Sequence, residues 1–343
     1  MSKKISTSGL SLRFGSIKDA ETVREFIDEY WKSSHILVRD RALFEYLYLE
    51  GGGRLNFVLA FEPKSKNLVA VLGFIPTNSE NSRVSLALWK SRTDSEFRSH
   101  RAGLAVLRFL LDELNPRSIF AIGINTATAR PIYEYLGFTC GVMSHHLMIN
   151  PLKKSHQILK IPSEFELVKN FVNPCEGEFE VITTESDLNK VMRRLKPQDK
   201  SKDISYLHHR YLDHPNFDYC VRAVIKNDET IGVIVTRRLF ANNGSCTRII
   251  DLLGGEFCLE AASNFLRNEM IEMGDEYIDL VSWGLNSVAL ERFGFFDRRK
   301  FDGLVAPDHF SPFIRENKDL WFFTNCPETE KFFKGDGDQD RPN

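Results

Sequence analysis

In the first half of the chain, the run His100-Arg101-Ala102-Gly103-Leu104-Ala105 follows an apolar strand pattern and opens an amphipathic helix. A glycine there lets the backbone approach a ligand closely. The unpaired first-turn N–H groups and the positive end of the helix dipole suit a pyrophosphate. Arg98 and Arg101 add positive charge. An ordinary helix cap uses the same residue types, so the run gains chemical meaning from its company: Asn125, Ala129, Tyr133, Gly137 and Phe138, on and around the next short helix.

The elements that position these residues can be read from periodicity. Leu10, Leu12 and Phe14 alternate as a strand over Gly9 to Gly15, a helix opens near Asp19, and a helix-rich stretch runs to Leu49. After Gly51-Gly52-Gly53, the spacing predicts a hairpin of Leu55–Ala60 and Leu68–Phe74, then a strand at Val84–Trp89. Leu104, Leu107, Leu111 and Leu114 mark a helix over Ala102–Leu114 that Pro116 stops. A buried strand, Ile119–Ile122, and a short helix, Arg130–Leu136, closed by Gly137, complete the order.

That order then repeats. Strand Phe179–Ile182, helix Leu188–Leu195, hairpin Tyr219–Lys226 with Thr230–Thr236, strand Thr247–Leu253, helix Ala261–Met273, strand Tyr277–Ser282 and short helix Val288–Phe293 answer the first half one by one. The expected organisation is therefore two tandem α/β domains, residues 1–150 and 179–326, each a mostly antiparallel mixed sheet flanked by helices. A crossover at 151–178 joins them. A Gly/Asp-rich polar tail, 327–343, follows, of a composition that normally means disorder.

Composition narrows the class. At 343 residues, 42% hydrophobic and 27% charged, the chain is long enough for two cores. A formal net charge of −2 lacks the basic footprint of a nucleic-acid binder. No apolar run reaches the ~18 residues of a membrane span, and Arg108 interrupts Leu104 to Leu114. Lys3 and Lys4 precede no apolar stretch, so no secretory signal is read. Six cysteines stand singly without a Cys-x-x-Cys pair, which fits reduced thiols in the cytoplasm and no metal knuckle.

Ala129-x-x-x-Tyr133-x-x-x-Gly137-Phe138 resembles the C-terminal motif of the GCN5-related N-acetyltransferase superfamily, Asn-x-x-Ala-x-x-x-Tyr-x-x-x-Gly-Phe. The coenzyme motif of that family, Gln/Arg-x-x-Gly-x-Gly/Ala, falls on His100, Gly103 and Ala105. Two departures are visible: His100 replaces the usual Gln or Arg, and Asn125 lies one residue further from Tyr133 than usual. The resemblance implies an acetyl-CoA-dependent N-acetyltransferase without a metal. Arg98, Arg101, Ala102, Gly103, Leu104, Ala105, Asn125 and Ala129 would serve the coenzyme. The backbone of Leu88, Trp89 and Lys90 would polarise the thioester carbonyl. Tyr133 would protonate the departing thiolate, and His35 is the candidate for deprotonating the amine.

Trp31, His145, Arg210 and Trp283 are the candidate acceptor-binding residues, with His146 beside them. In the second half Leu290 stands where the tyrosine would be, and Phe257 to Ala262 has no Gly-x-Gly/Ala but carries Glu260, so the expectation is that this half has lost coenzyme binding. The tandem domains, the Trp31 to Phe44 segment and the Asp-rich ending are similar to acetyltransferases of bacterial surface-polysaccharide synthesis. That similarity implies a small-molecule amine acceptor, at best a nucleotide-linked amino sugar, and a tail that folds back on a ligand or partner through Asp338, Asp340 and Arg341. A tRNA-dependent aminoacyl transferase of the peptidoglycan-bridge type and a non-catalytic acyl-CoA-binding module are the alternatives; monomer and homodimer are both open.

Overall fold

The computed structural model describes residues 9–94, 101–162, 177–195 and 201–342. They form two compact units, one running to Ala121 and including Arg341 onward, the other from Ile122 to Asp340.

Unit 1 contains β1 (Ser11–Ser16), α1 (Ala20–Tyr30), α2 (Ile36–Arg39), α3 (Arg41–Tyr48), β2 (Arg54–Phe61), β3 (Leu68–Pro76), β4 (Arg83–Ser91), α4 (Ala102–Leu114) and β5 (Ser118–Ile122). The strands lie in that order across the sheet, antiparallel up to β4, with β5 parallel to β4. Leu55 to Ala60 and Leu68 to Ile75 are buried without a break, because both faces of these strands are covered. On one face α3 supplies Phe44 and Tyr48, whose rings pack on Phe57. On the other α4 supplies Phe109, which meets Phe14, itself against Phe74. The αL conformation of Asn115 ends α4 just before Pro116.

Unit 2 contains α5 (Ala129–Tyr135), β6 (Thr139–Val142), β7 (Ser144–Ile149), β8 (Glu178–Ile182), α6 (Glu185–Arg194), α7 (Ile204–Leu207), β9 (Cys220–Lys226), β10 (Glu229–Ala241), β11 (Gly244–Leu253), α8 (Gly255–Glu272), β12 (Tyr277–Trp283), α9 (Ser287–Arg292) and β13 (Phe296–Asp297). After these come a small hairpin, β14 (His309–Phe310) with β15 (Phe313–Ile314), then β16 (Trp321–Thr324) and β17 (Phe332–Phe333). The large sheet runs β13-β7-β12-β11-β10-β9-β8, with β17 on β12, while β6 pairs with β16. Helix α8 buries Cys258, Leu259, Ala262 and Leu266 against Ile234, Ile249 and Leu280. The repeated α/β order read from the sequence is thus present.

The boundary between compact units lies elsewhere than the repeat suggests. β7 ends the first half of the sequence, yet it pairs along its whole length with β12, so residues 122–150 join unit 2. Part of the crossover is held by one carboxylate: Glu276 accepts backbone N–H groups from Gln157, Ile158 and Leu159 at 2.6–3.1 Å. The tail also departs from its composition. Phe332 to Asp338 and Asp340 are buried, with Asp336 paired to buried Lys202 and Asp340 to Arg237, so polarity did not produce disorder here.

Candidate functional site

In unit 1, β4 and β5 are in register only over Arg83–Ser85 and Ser118–Phe120, while β4 runs on to Ser91. The two strands part beyond that point and leave a slot between them. The β3–β4 register shifts where Gly73 opposes both Ala87 and Leu88, because Leu72 pairs with Trp89 and Phe74 with Leu86. Such a bulge leaves a backbone group out of the ladder and turns it toward whatever lies beside the strand. Gly73 also leaves no room for a side chain: a Cβ there would sit 2.9 Å from Phe57 Cζ and 3.3 Å from Tyr48 Cε1. Motif reading missed this residue, although a glycine inside the apolar run Leu68 to Phe74 is the ordinary signal of a bulge.

Helix α4 begins beside the slot. Arg101 caps it in the left-handed region, φ 48°, without a side-chain hydrogen bond, and the first intrahelical bond is Ala105 N–H to Arg101 O. The N–H groups of Ala102, Gly103 and Leu104 therefore precede the helical ladder. The Trp89 indole donates to Gly103 O at 2.8 Å and ties this first turn to β4 just past the bulge. Leu88 is buried, Lys90 half-buried, and Ala102 and Ala105 face inward. Arg98 and His100 lie outside the described residues. Among the described residues no cluster could hold a metal ion, and no helix is long and apolar enough to cross a membrane.

His35 also belongs to unit 1, between α1 and α2. It is buried, its ring meets half-exposed Trp31 edge-on at 4.6 Å, its Nδ1 accepts Leu37 N–H at 3.3 Å, and Arg341 Nη2 stands 3.3 Å from Nε2. A neutral imidazole has one ring lone pair for these two donors. The geometry spends that lone pair on the helix cap or on Arg341, so the base role read from the sequence has no acceptor left for a substrate proton. Arg341 is a neighbour that sequence separation concealed.

The remaining sequence candidates lie in unit 2. Asn125 accepts N–H groups from Ala127 and Thr128 at 2.9 Å and so starts α5, which carries Ala129 and Tyr133. Tyr133 is buried with its ring stacked on Phe323 at 3.7 Å. Burial, with a smaller effect of Cys140, raises its pKa well above the usual phenol, so it stays protonated at neutral pH. His145 Nε2–H donates to Asp279 at 3.0 Å inside a buried cluster, and Arg210 donates to Gly335 O and Asp340 O. Both are engaged by the chain itself rather than turned to a cleft. Trp283 packs on Phe322 at the end of β12.

Two buried histidines of this unit give a prediction. Burial, opposed by Asp297, lowers His146 from 6.5 to about 4, and burial with Arg210 lowers His214 to about 3. Between these values and 6.5 the unfolded chain binds the protons and the folded one does not, so stability falls as pH drops below 6.5. His146 alone removes about 2 kcal/mol by pH 5, and His214 acts in the same direction. Urea unfolding at pH 7 and pH 5 measures it; equal stabilities would rule out burial of both rings in neutral form.

No family model and no curated protein matches the sequence. Solved structures do match. A GCN5-related N-acetyltransferase from Anabaena variabilis superposes with a TM-score of 0.52 at 13% identity, over 92% of this chain and 72% of its own. A probable N-acyltransferase from Enterococcus faecalis gives a TM-score of 0.55 at 8% identity, again over 92% and 72%. The chain has the fold of these N-acyltransferase structures. At such identities the likeness is one of fold.

Proposed function

We propose that the protein is an acyl-CoA-dependent N-acyltransferase of the GCN5-related type, with acetyl-CoA as acyl donor and a small amine as acceptor. One observation carries this reading: the slot between β4 and β5, with the bulge at Ala87–Leu88 on its wall and the uncapped first turn of α4 at its mouth. An extended, amide-bearing arm fits between parting strands, a diphosphate fits the N–H groups of Ala102 to Leu104, and a backbone donor freed by the bulge suits a thioester oxygen. The fold shared with the Anabaena and Enterococcus structures supports the same reading.

In this proposal the amine attacks the thioester directly. The carbonyl oxygen takes up the charge, the proton shed by the attacking nitrogen goes to water, the carbon–sulfur bond breaks as the carbonyl re-forms, and Tyr133, assigned from the motif in which it stands, delivers a proton to the leaving thiolate and regains one from water. A phenol kept protonated by burial has that proton to give. His35 and Trp31 shape the acceptor wall rather than remove the proton. A nucleotide-linked amino sugar of surface-polysaccharide synthesis is the acceptor we favour, on the strength of the tandem domains and the Asp-rich ending.

Isothermal titration with acetyl-CoA tests the reading: one site per chain is expected, and no binding would refute it. Tyr133→Phe should lower kcat by about two to three orders of magnitude while leaving coenzyme affinity unchanged, the pattern of a group acting in the transition state. Steady-state rates on an amino-sugar panel decide it, and an unaltered kcat removes Tyr133 from the chemistry.

A further inference from the structure

The second unit repeats the slot and fills it. β11 and β12 are in parallel register only over Thr247–Ile249 and Ile278–Leu280, and β11 carries its own bulge at Ile250, since Val235 pairs with Asp251 and Thr236 with Ile249. β7 occupies the far edge of β12 as far as Ser282. The antiparallel pairing of Phe333 with Ser282 and of Phe332 with Trp283 therefore takes the edge that β11 has left. Gly335 N–H then reaches across to Ile250 O at 2.8 Å, the carbonyl of the bulge itself. The chain's own segment bridges the parted strands.

The seat reads the segment residue by residue. Phe333 is buried in the core beneath α8. Gly335 admits no side chain, since a Cβ would lie 2.4 Å from Tyr211 Oη and 2.7 Å from Ile250 Cγ2. Asp336 stands 3.2 Å from Lys202 Nζ, which also binds Asp251, and Gly337 turns the chain at φ 70°. Asp340 receives Arg237 Nη2 and Tyr219 Oη at 2.7 Å each, while Arg210 holds the Gly335 and Asp340 carbonyls. At the other end of the slot, the first turn of α8 carries its own carboxylate, Glu256, paired with Lys331, where a phosphate would otherwise approach.

We infer that the β11–β12 slot of the second unit is a peptide-binding site for an acidic, glycine-punctuated segment of the form Phe-Phe-x-Gly-Asp-Gly-x-x-Asp, and that residues 332–340 are its ligand in cis. Main-chain pairing supplies affinity, as in strand addition to a sheet edge. Lys202, Arg237 and the tight seat of Gly335 supply selectivity. The slot has exchanged an acyl-CoA for a piece of the chain.

The test uses the full chain carrying Gly335→Val, which denies the segment its seat, and a fluorescent synthetic peptide of residues 330–341. Hydrogen exchange should show lost protection over 332–336 in the variant, and the peptide should bind it at least about tenfold more tightly than a peptide with Asp336→Asn and Asp340→Asn. Wild-type protein, its seat already filled, should bind the peptide weakly. Equal affinity for both peptides, or a second acetyl-CoA site appearing in the variant, overturns the inference. Absence of any acetyl-CoA site instead speaks against the function proposed for unit 1. If Gly335→Val does not fold, Asp336→Asn in the full chain is the second variant: its 332–336 amides should exchange faster, and unchanged exchange overturns the inference equally.

Discussion

Gly103→Glu should abolish acetyl-CoA binding while leaving the protein as stable as before. The two halves of this expectation come from separate facts. A Cβ on Gly103 would meet Ser91 Oγ and Trp89 Nε1 at 3.5 Å, ordinary contact distances, so the fold accommodates a side chain there. A carboxylate in the first turn of α4 even complements the helix dipole. The loss is therefore electrostatic: two like charges about 4 Å apart at a protein surface repel by about 4 kcal/mol, roughly a thousandfold in affinity. Gly103→Ala is the control and should bind almost normally. Titration of both variants beside wild type, with thermal melts, measures the effect; retained affinity in Gly103→Glu would show that no phosphate sits at this helix start.

Asp279→Ala should cost about 3–5 kcal/mol of stability, because it strands a buried cation. Arg248 is 1% exposed and gives Asp279 three hydrogen bonds, the shortest 2.7 Å, with His145 on the same carboxylate at 3.0 Å. Burial alone would push Asp279 up; Arg248 and the His145 bond bring it down to about 2. Its folded pKa thus lies below its unfolded one, so its contribution is complete above about pH 4 and disappears as pH falls through 2. Breaking the exposed pair Arg194–Glu180, whose side chains are 49% and 38% exposed, should by contrast cost under about 1 kcal/mol. Urea midpoints at constant m separate the two; a small loss for Asp279→Ala would mean that Arg248 finds solvent or another anion. Asp308 and Lys334 flank Arg248 and belong to the same cluster.

Much of this molecule is written locally. The 3.6-residue spacing of leucines from Leu104 to Leu114, stopped at Pro116, defines α4 to the residue, and the apolar runs flanking Pro63 to Asn67 define the hairpin of β2 and β3. Periodicity depends only on which face must leave water, so a repeat of it exposes two similar domains without any knowledge of how strands pair. The pyrophosphate-type turn is legible for the same reason, being a strand, a short loop and a helix start in one stretch of chain.

What sequence could not supply are contacts whose partners lie far apart along it. Gly73 has no room for a side chain because Phe57 and Tyr48 close on it. His35 stands between two donors, Leu37 N–H and Arg341, for its one ring lone pair, and β7 abandons its own half for β12. The Asp-rich tail has the composition of a disordered segment. It is ordered because Lys202, Arg210 and Arg237, more than a hundred residues earlier, compensate its carboxylates and carbonyls out of water. Local patterning determined which elements exist and that a helix starts at Ala102 directly after a strand and a short loop. Only the tertiary structure decided that the tail pairs with β12 and is held by Lys202, Arg210 and Arg237, because pairing of buried charge and closure of sheet edges are settled by neighbours in space.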